Sequence, residues 1–138
     1  MSHVTVRFDD HEPYNRLGAP RGRITLKDKG GPHAADYTTW SLVDTGADHL
    51  YLPTQAASLT GLSLANAGRT RIMTTGGSMT MHRLDVDVEV LGVRMLTRCY
   101  FAPNVRPLIG RTALLKAVET AGFNSTEWLI EWKSRSRK

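Results

Sequence analysis

Cysteine is almost absent from this chain: Cys99 is the single one in 138 residues. One cysteine cannot close an intrachain disulfide, so the fold must rest on its core, and a reducing, cytoplasmic setting is the expected one. No apolar run approaches the length of a membrane span, and the first residues lack the charged-then-apolar layout of a secretion signal. The histidines are few and scattered: His3, His11, His33, His49 and His82 show no paired spacing of the kind that holds zinc. A glycine-rich nucleotide loop is missing, and no serine or cysteine triad can be argued. Neither metal nor cofactor is therefore expected, and no membrane partner.

Acidic residues are outnumbered, 13 against 18 basic ones, for a net charge of +5. Such a balance hints at nucleic acid. However, Lys133, Arg135, Arg137 and Lys138 supply four of those charges, leaving +1 for the rest of the chain. A short tail of this kind is usually solvated rather than an interaction site. Nucleic acid is not the favoured partner. The length suits one core and not two, so the expected organisation is a single domain over residues 1–132 with a basic, disordered tail over 133–138.

What the chain does have is concentrated in Ser41-Leu42-Val43-Asp44-Thr45-Gly46-Ala47-Asp48. The apolar lead-in reads as the end of a buried strand. Gly46, without a Cβ, allows a turn that other residues resist. Such a turn holds the Asp44 carboxylate at the end of a rigid element, where a catalytic group is best fixed. Asp-Thr-Gly alone is weak, since a strand ending in an Asx-type turn produces it for structural reasons. Downstream lies a second apolar pair running into glycine, Leu108-Ile109-Gly110-Arg111, and between the two a Gly-Gly turn, Thr75-Gly76-Gly77-Ser78.

Periodicity fills in the rest. His3 to Phe8 alternates and reads as a strand, followed by a loop over 9–22 punctuated by Pro13, Gly18, Pro20 and Gly22. Short strands are expected at Arg23–Leu26 and Tyr37–Val43. Thr54 is a reasonable N-cap for a helix over Gln55–Thr60 that stops at Gly61. Arg69–Thr74 and Met79–Val90 form a hairpin about the Gly-Gly turn, and Val93–Phe101 follows as a strand with Cys99 on its core face. Asp85, Asp87 and Glu89 alternate with Leu84, Val86, Val88 and Val90, and read as a solvated strand face. Leu114, Leu115, Val118 and Ala121 recur at helical spacing, predicting a helix over Thr112–Ala121 closed by Gly122. Thr126–Trp132 is rich in strand formers.

Taken together, the Asp-Thr-Gly-Ala-Asp run, the glycine turn and the apolar-Ile-Gly-Arg run, in this order over residues 22–122, resemble the retroviral-type aspartic proteases, the retropepsins. The resemblance implies a mainly β, small, closed barrel-like fold with a flap hairpin, one short helix and one C-terminal helix. That family has a tighter link where this chain has residues 9–22, so the segment looks like an insertion.

The resemblance also implies roles. Asp44 would be the catalytic residue, supported by Thr45, Gly46, Ala47, Asp48 and Arg111. Thr45 would link the active-site loops of two subunits, and Asp48 and Arg111 would pair beneath the cleft. Gly46, Asp48, His49, Ile109 and the flap residues Thr75, Gly76, Gly77 and Ser78 would meet the substrate. Peptide hydrolysis by carboxylates needs two that share a proton, and this chain has one Asp-Thr-Gly, so the second must come from another copy. The expected protein is therefore a homodimeric aspartic endopeptidase acting on extended peptides, its C-terminal strand building the interface beside Val4–Phe8. A catalytically silent, dimeric peptide-binding domain of the same fold is the alternative.

Overall fold

Alternating burial along the strands is what builds this molecule. A computed structural model describes residues 3–7, 21–124 and 129–134. In chain order the elements are β1 (His3–Arg7), β2 (Arg21–Leu26), β3 (Tyr37–Val43), β4 (Leu50–Pro53), α1 (Thr54–Thr60), β5 (Gly68–Thr74), β6 (Gly77–Val90), β7 (Val93–Ala102), β8 (Leu108–Ile109), α2 (Arg111–Ala117), β9 (Val118–Asn124) and β10 (Leu129–Ser134). The mainly β class with two helices is as expected.

Seven strands form one sheet in the order β2-β3-β8-β4-β7-β6-β5, and β2 also pairs with β6. That extra ladder, Ile24↔Val90 through Leu26↔Val88, closes six of the strands into a ring and leaves β5 hanging from β6. Inside the ring, every second residue is apolar and buried: Ile24 and Leu26, Leu50 and Leu52, Val86, Val88 and Val90, Cys99 and Phe101. Each fully buried large side chain contributes roughly 1.5–3 kcal/mol relative to exposure. Ala56 and Ala57 of α1 and Ala113, Leu114 and Ala117 of α2 complete this core. Burial pushes the Cys99 thiol well above its usual range, so it is a core residue and a poor nucleophile.

The face of β6 opposite the core is polar. Arg94 donates from two nitrogens to Asp87, at 2.9 and 2.6 Å, and Arg98 donates to Asp85 at 3.1 Å. Two of the three acids that alternate along this strand, Asp85 and Asp87, are thus balanced by arginines of the neighbouring strand.

Several boundaries differ from expectation. The N-cap of α1 is Pro53, with Thr54 already helical and no side-chain cap; Gly61 closes the helix in the left-handed conformation at φ 74°. Arg21 and Gly22 belong to β2, while Phe8 and most of the 9–22 loop lie outside the described residues. The second helix ends at Ala117, four residues early. Val118 is extended, at φ −128°, because the chain there enters β9 and pairs with β10. Leu115 accordingly faces solvent, and Gly122 lies opposite Glu131 in a ladder instead of ending a helix.

The final strand is Leu129–Ser134, with Thr126–Trp128 outside the described residues; Lys133 and Ser134, expected in the tail, are part of it. It pairs with β1 as expected, but within the same chain: Val4↔Trp132 and Val6↔Ile130 are registers of a three-stranded sheet, β1-β10-β9.

Candidate active site

Asp44 follows directly on β3. Its amide donates to the Ile109 carbonyl at 3.0 Å, and the Leu42 amide donates to the Pro107 carbonyl at 3.1 Å, so β8 runs beside β3 as a parallel strand. The Gly46 amide donates to Asp44 Oδ1 at 2.8 Å, and the Ala47 amide to the Asp44 carbonyl at 3.2 Å. This is the Asx-type turn that the sequence suggests. It fixes the carboxylate by one side-chain and two main-chain bonds, half-buried, at the end of a core strand.

The loop after Asp44 is locked onto helix α2. The first amides of a helix lack intrahelical partners. Here the Arg111 amide donates to the Ala47 carbonyl at 2.9 Å and the Thr112 amide to the Asp48 carbonyl at 3.0 Å. Gly110 makes this approach possible. A Cβ placed on it would lie 2.6 Å from the His49 amide nitrogen and 2.8 Å from the Ala47 carbonyl oxygen. Arg111 binds twice more, with one guanidinium nitrogen on the Asp48 carboxylate and another on the Thr45 carbonyl at 3.2 Å. Asp48 and Arg111, distant in sequence, therefore meet as the motif suggests.

The other candidates divide. Thr45 and Gly46 are exposed at the turn. Ile109 is fully buried in the core, so its side chain does not face a ligand; its carbonyl instead anchors Asp44. His49 is half-buried with its ring 5.6 Å from that of Tyr100, and its Nδ1 is buried without a hydrogen-bond partner among the described residues. Thr75 and Gly76 form the two-residue turn of the β5–β6 hairpin, with Gly77 and Ser78 opening β6; all four are exposed. Gly77 takes φ +118°, which other residues rarely adopt.

Two tyrosines join the site without having been marked by any motif. Tyr51 stacks on Tyr100 at 5.3 Å. Burial, then Tyr100, then the charges of Asp48 and Asp44 push the Tyr51 phenol above its ordinary value of 10.0. Their signal is faint in sequence: Tyr51 alternates with His49 two residues behind it, and only the β4–β7 ladder brings Tyr100 alongside.

No helix among the described residues is long and apolar enough to cross a membrane. No curated protein matches the sequence. Among solved structures, a retropepsin-like aspartic protease from Rickettsia conorii superposes with a TM-score of 0.66 at 16% identity, covering 95% of this chain and 98% of that one. The family model for aspartyl protease matches residues 33–113, which span the Asp44 turn, the hairpin and the Gly110–Arg111 junction. By that match over more than half its length, on a retropepsin-like fold, this chain belongs to the aspartyl protease family.

Proposed function

We propose that the protein is a homodimeric aspartic endopeptidase in which the Asp44 carboxylates of two subunits share a proton and activate water for attack on a peptide bond. The observation that carries this reading is the bonding of Asp44, held by the Gly46 amide and by Ile109 at the end of a core strand. One carboxylate takes a proton from water while the other, neutral, donates to the carbonyl oxygen. Two carboxylates about 3 Å apart do not readily both ionise, which maintains this division between the two apparent pKa values of the pair.

One chain contains one such motif, so a second copy supplies the partner. Because β1 and β10 pair within one chain, the terminal sheet is complete in each subunit. Its outer strands, β1 and β9, offer hydrogen-bonding edges to another copy. Thr45, Gly46, Ala47, Asp48 and Arg111 hold the catalytic loop. The hairpin carrying Thr75, Gly76, Gly77 and Ser78 closes over an extended peptide, which binds as an added strand with His49 nearby. The chemistry uses water directly and calls for no cofactor. The single, buried Cys99 suits a cytoplasmic place of action.

Asp44→Asn tests this. Asparagine is nearly isosteric but cannot exchange the shared proton. Hydrolysis of a peptide library should vanish in the variant while its melting temperature and sedimentation stay as in wild type. Specific activity of the wild type should fall on dilution below the dimer dissociation constant. Undiminished cleavage by Asp44→Asn sinks the assignment; peptide binding by a wild type that never hydrolyses would mark a silent binding domain instead.

A further inference from the structure

The strand registers place one row of side chains across the sheet on the face opposite the core. Leu42 pairs with Leu108, Leu108 with Tyr51, Tyr51 with Tyr100, Tyr100 with Arg83, and Arg83 with Gly68. Direct partners on neighbouring strands share a face. Alternation along the chain carries the same face from Leu42 to Asp44. The row therefore begins beside the candidate catalytic carboxylate, crosses the stacked tyrosines, and ends at an arginine at the base of the hairpin.

Arg83 is unusual among the described cations of this face. It is half-buried, and its Nη1 donates to Thr70 Oγ1 at 2.6 Å and to the Arg69 carbonyl at 3.4 Å. Both acceptors are neutral. No carboxylate among the described residues pairs with it. Asp85, the nearest acid on its own face of β6, accepts from Arg98, and Asp48 accepts from Arg111. A partly desolvated cation without a counter-charge is unfavourable unless something else supplies one.

A glycine on the neighbouring strand sets where the guanidinium lies. A Cβ on Gly68 would lie 2.9 Å from Arg83 Nε and 3.0 Å from its Cζ, so the glycine makes the trough in which the guanidinium lies. With Nη1 occupied, the remaining edge is Nε–H and Nη2–H, two parallel donors that match a carboxylate. Two strand spacings, about 10 Å, separate Arg83 from Tyr51. An extended peptide sets same-side residues about 7 Å apart, so a side chain near the cleaved bond spans that gap.

We propose that Arg83 is a specificity residue that receives an acidic side chain of the bound peptide, so that the protein prefers substrates with Glu or Asp close to the scissile bond. This rests on the peptidase reading above. The test uses peptides identical except for Glu or Gln at each flanking position, read as the ratio of kcat/KM for the two. Wild type should show a ratio of about ten at one position, the scale of a hydrogen-bonded charge pair. Arg83→Met should bring that ratio to one, Arg83→Lys should keep part of it, and Arg83→Glu should favour a Lys peptide over the Glu peptide. Melting and sedimentation of each variant establish folding, and the Lys variant serves if Met does not fold.

The same peptides are then bound to Asp44→Asn by fluorescence anisotropy. Hydrolysis with a ratio of one at every position, or a ratio unmoved in Arg83→Met, overturns the Arg83 assignment and leaves the peptidase standing. A Glu preference in binding with no hydrolysis by wild type supports Arg83 and overturns the peptidase. Binding of neither peptide overturns both.

Discussion

Gly110 and Gly77 stand at the two ends of the proposed site, and they are glycine for opposite reasons. Gly110 has an ordinary extended backbone, φ −86° and ψ 178°, that any residue adopts. What forbids a side chain is space, since the Ala47–His49 loop lies against it. Gly77 has all the space it needs, with nothing within 4 Å of a Cβ, but sits at φ +118°. The floor of the site is thus fixed by packing and the hairpin tip by backbone freedom. A packed glycine transmits any change to its neighbours, whereas a strained but open one keeps the change to itself.

Replacing each by alanine should separate the two. Gly110→Ala must push the Asp44 loop off helix α2 and should cost about 3 kcal/mol, at the upper end for overpacking. Thermal melting measures the loss, and activity should disappear with it. A near-native Gly110→Ala protein would mean that the loop yields without cost. Next in size, Arg111→Lys keeps the charge but loses the planar fork that spans the Asp48 carboxylate and the Thr45 carbonyl. It should lower kcat/KM several-fold, whereas Arg94→Lys, at the other end of the β6–β7 ladder, should not. Equal behaviour of the two would reduce the Asp48 pair to a surface contact, which its exposure of 65% and 55% otherwise suggests.

Gly77→Ala should be milder for the fold, with strain of about 1 kcal/mol at the tip. Its effect should appear in KM more than in melting temperature; a loss of stability matching Gly110→Ala would erase the distinction drawn here. The smallest effect concerns alkaline pH. Tyr51 has a raised folded pKa, so the folded chain holds its phenolic proton where the unfolded chain has lost it. Stability should therefore decline slightly as pH rises above 10.0, the ordinary value, until the raised folded value is passed. Tyr51→Phe should flatten that part of the profile, and an unchanged alkaline slope would show that the phenol is not coupled to folding.

The parts legible in sequence were those decided by nearby residues. Period-two patterning placed most strands, because the side-chain alternation of a strand is a local property. The Asp44 turn and the Gly61 helix stop were legible for the same reason. The end of α2 is not legible locally, because Leu114, Leu115 and Val118 fit a helical period, yet Val118 is extended once β9 finds β10. Thr54 resembles a cap because a hydroxyl is common at a helix start, while here it is already helical and Pro53 holds the cap position. Nothing local could have placed Tyr100 beside Tyr51 or Arg83 beside Tyr100. Those neighbours come from parallel and antiparallel ladders between distant segments, and the row exists only when the sheet does.

The pairing of β1 with β10 also has a consequence for the birth of the molecule. Val4 and Trp132 are partners, so β1 has no edge to join until β10, made after every other described strand, is available. Strands β2 to β8 meet no such delay, since all of them precede α2. Loop-closure cost grows only slowly with length, so the wait is kinetic more than energetic. The ring can close around its core during synthesis, and the terminal sheet follows once β10 is made. If subunits join through that sheet, a chain in which β10 is not yet made has a folded ring but no means of pairing. Hydrolytic activity would then be withheld until β10 has been made.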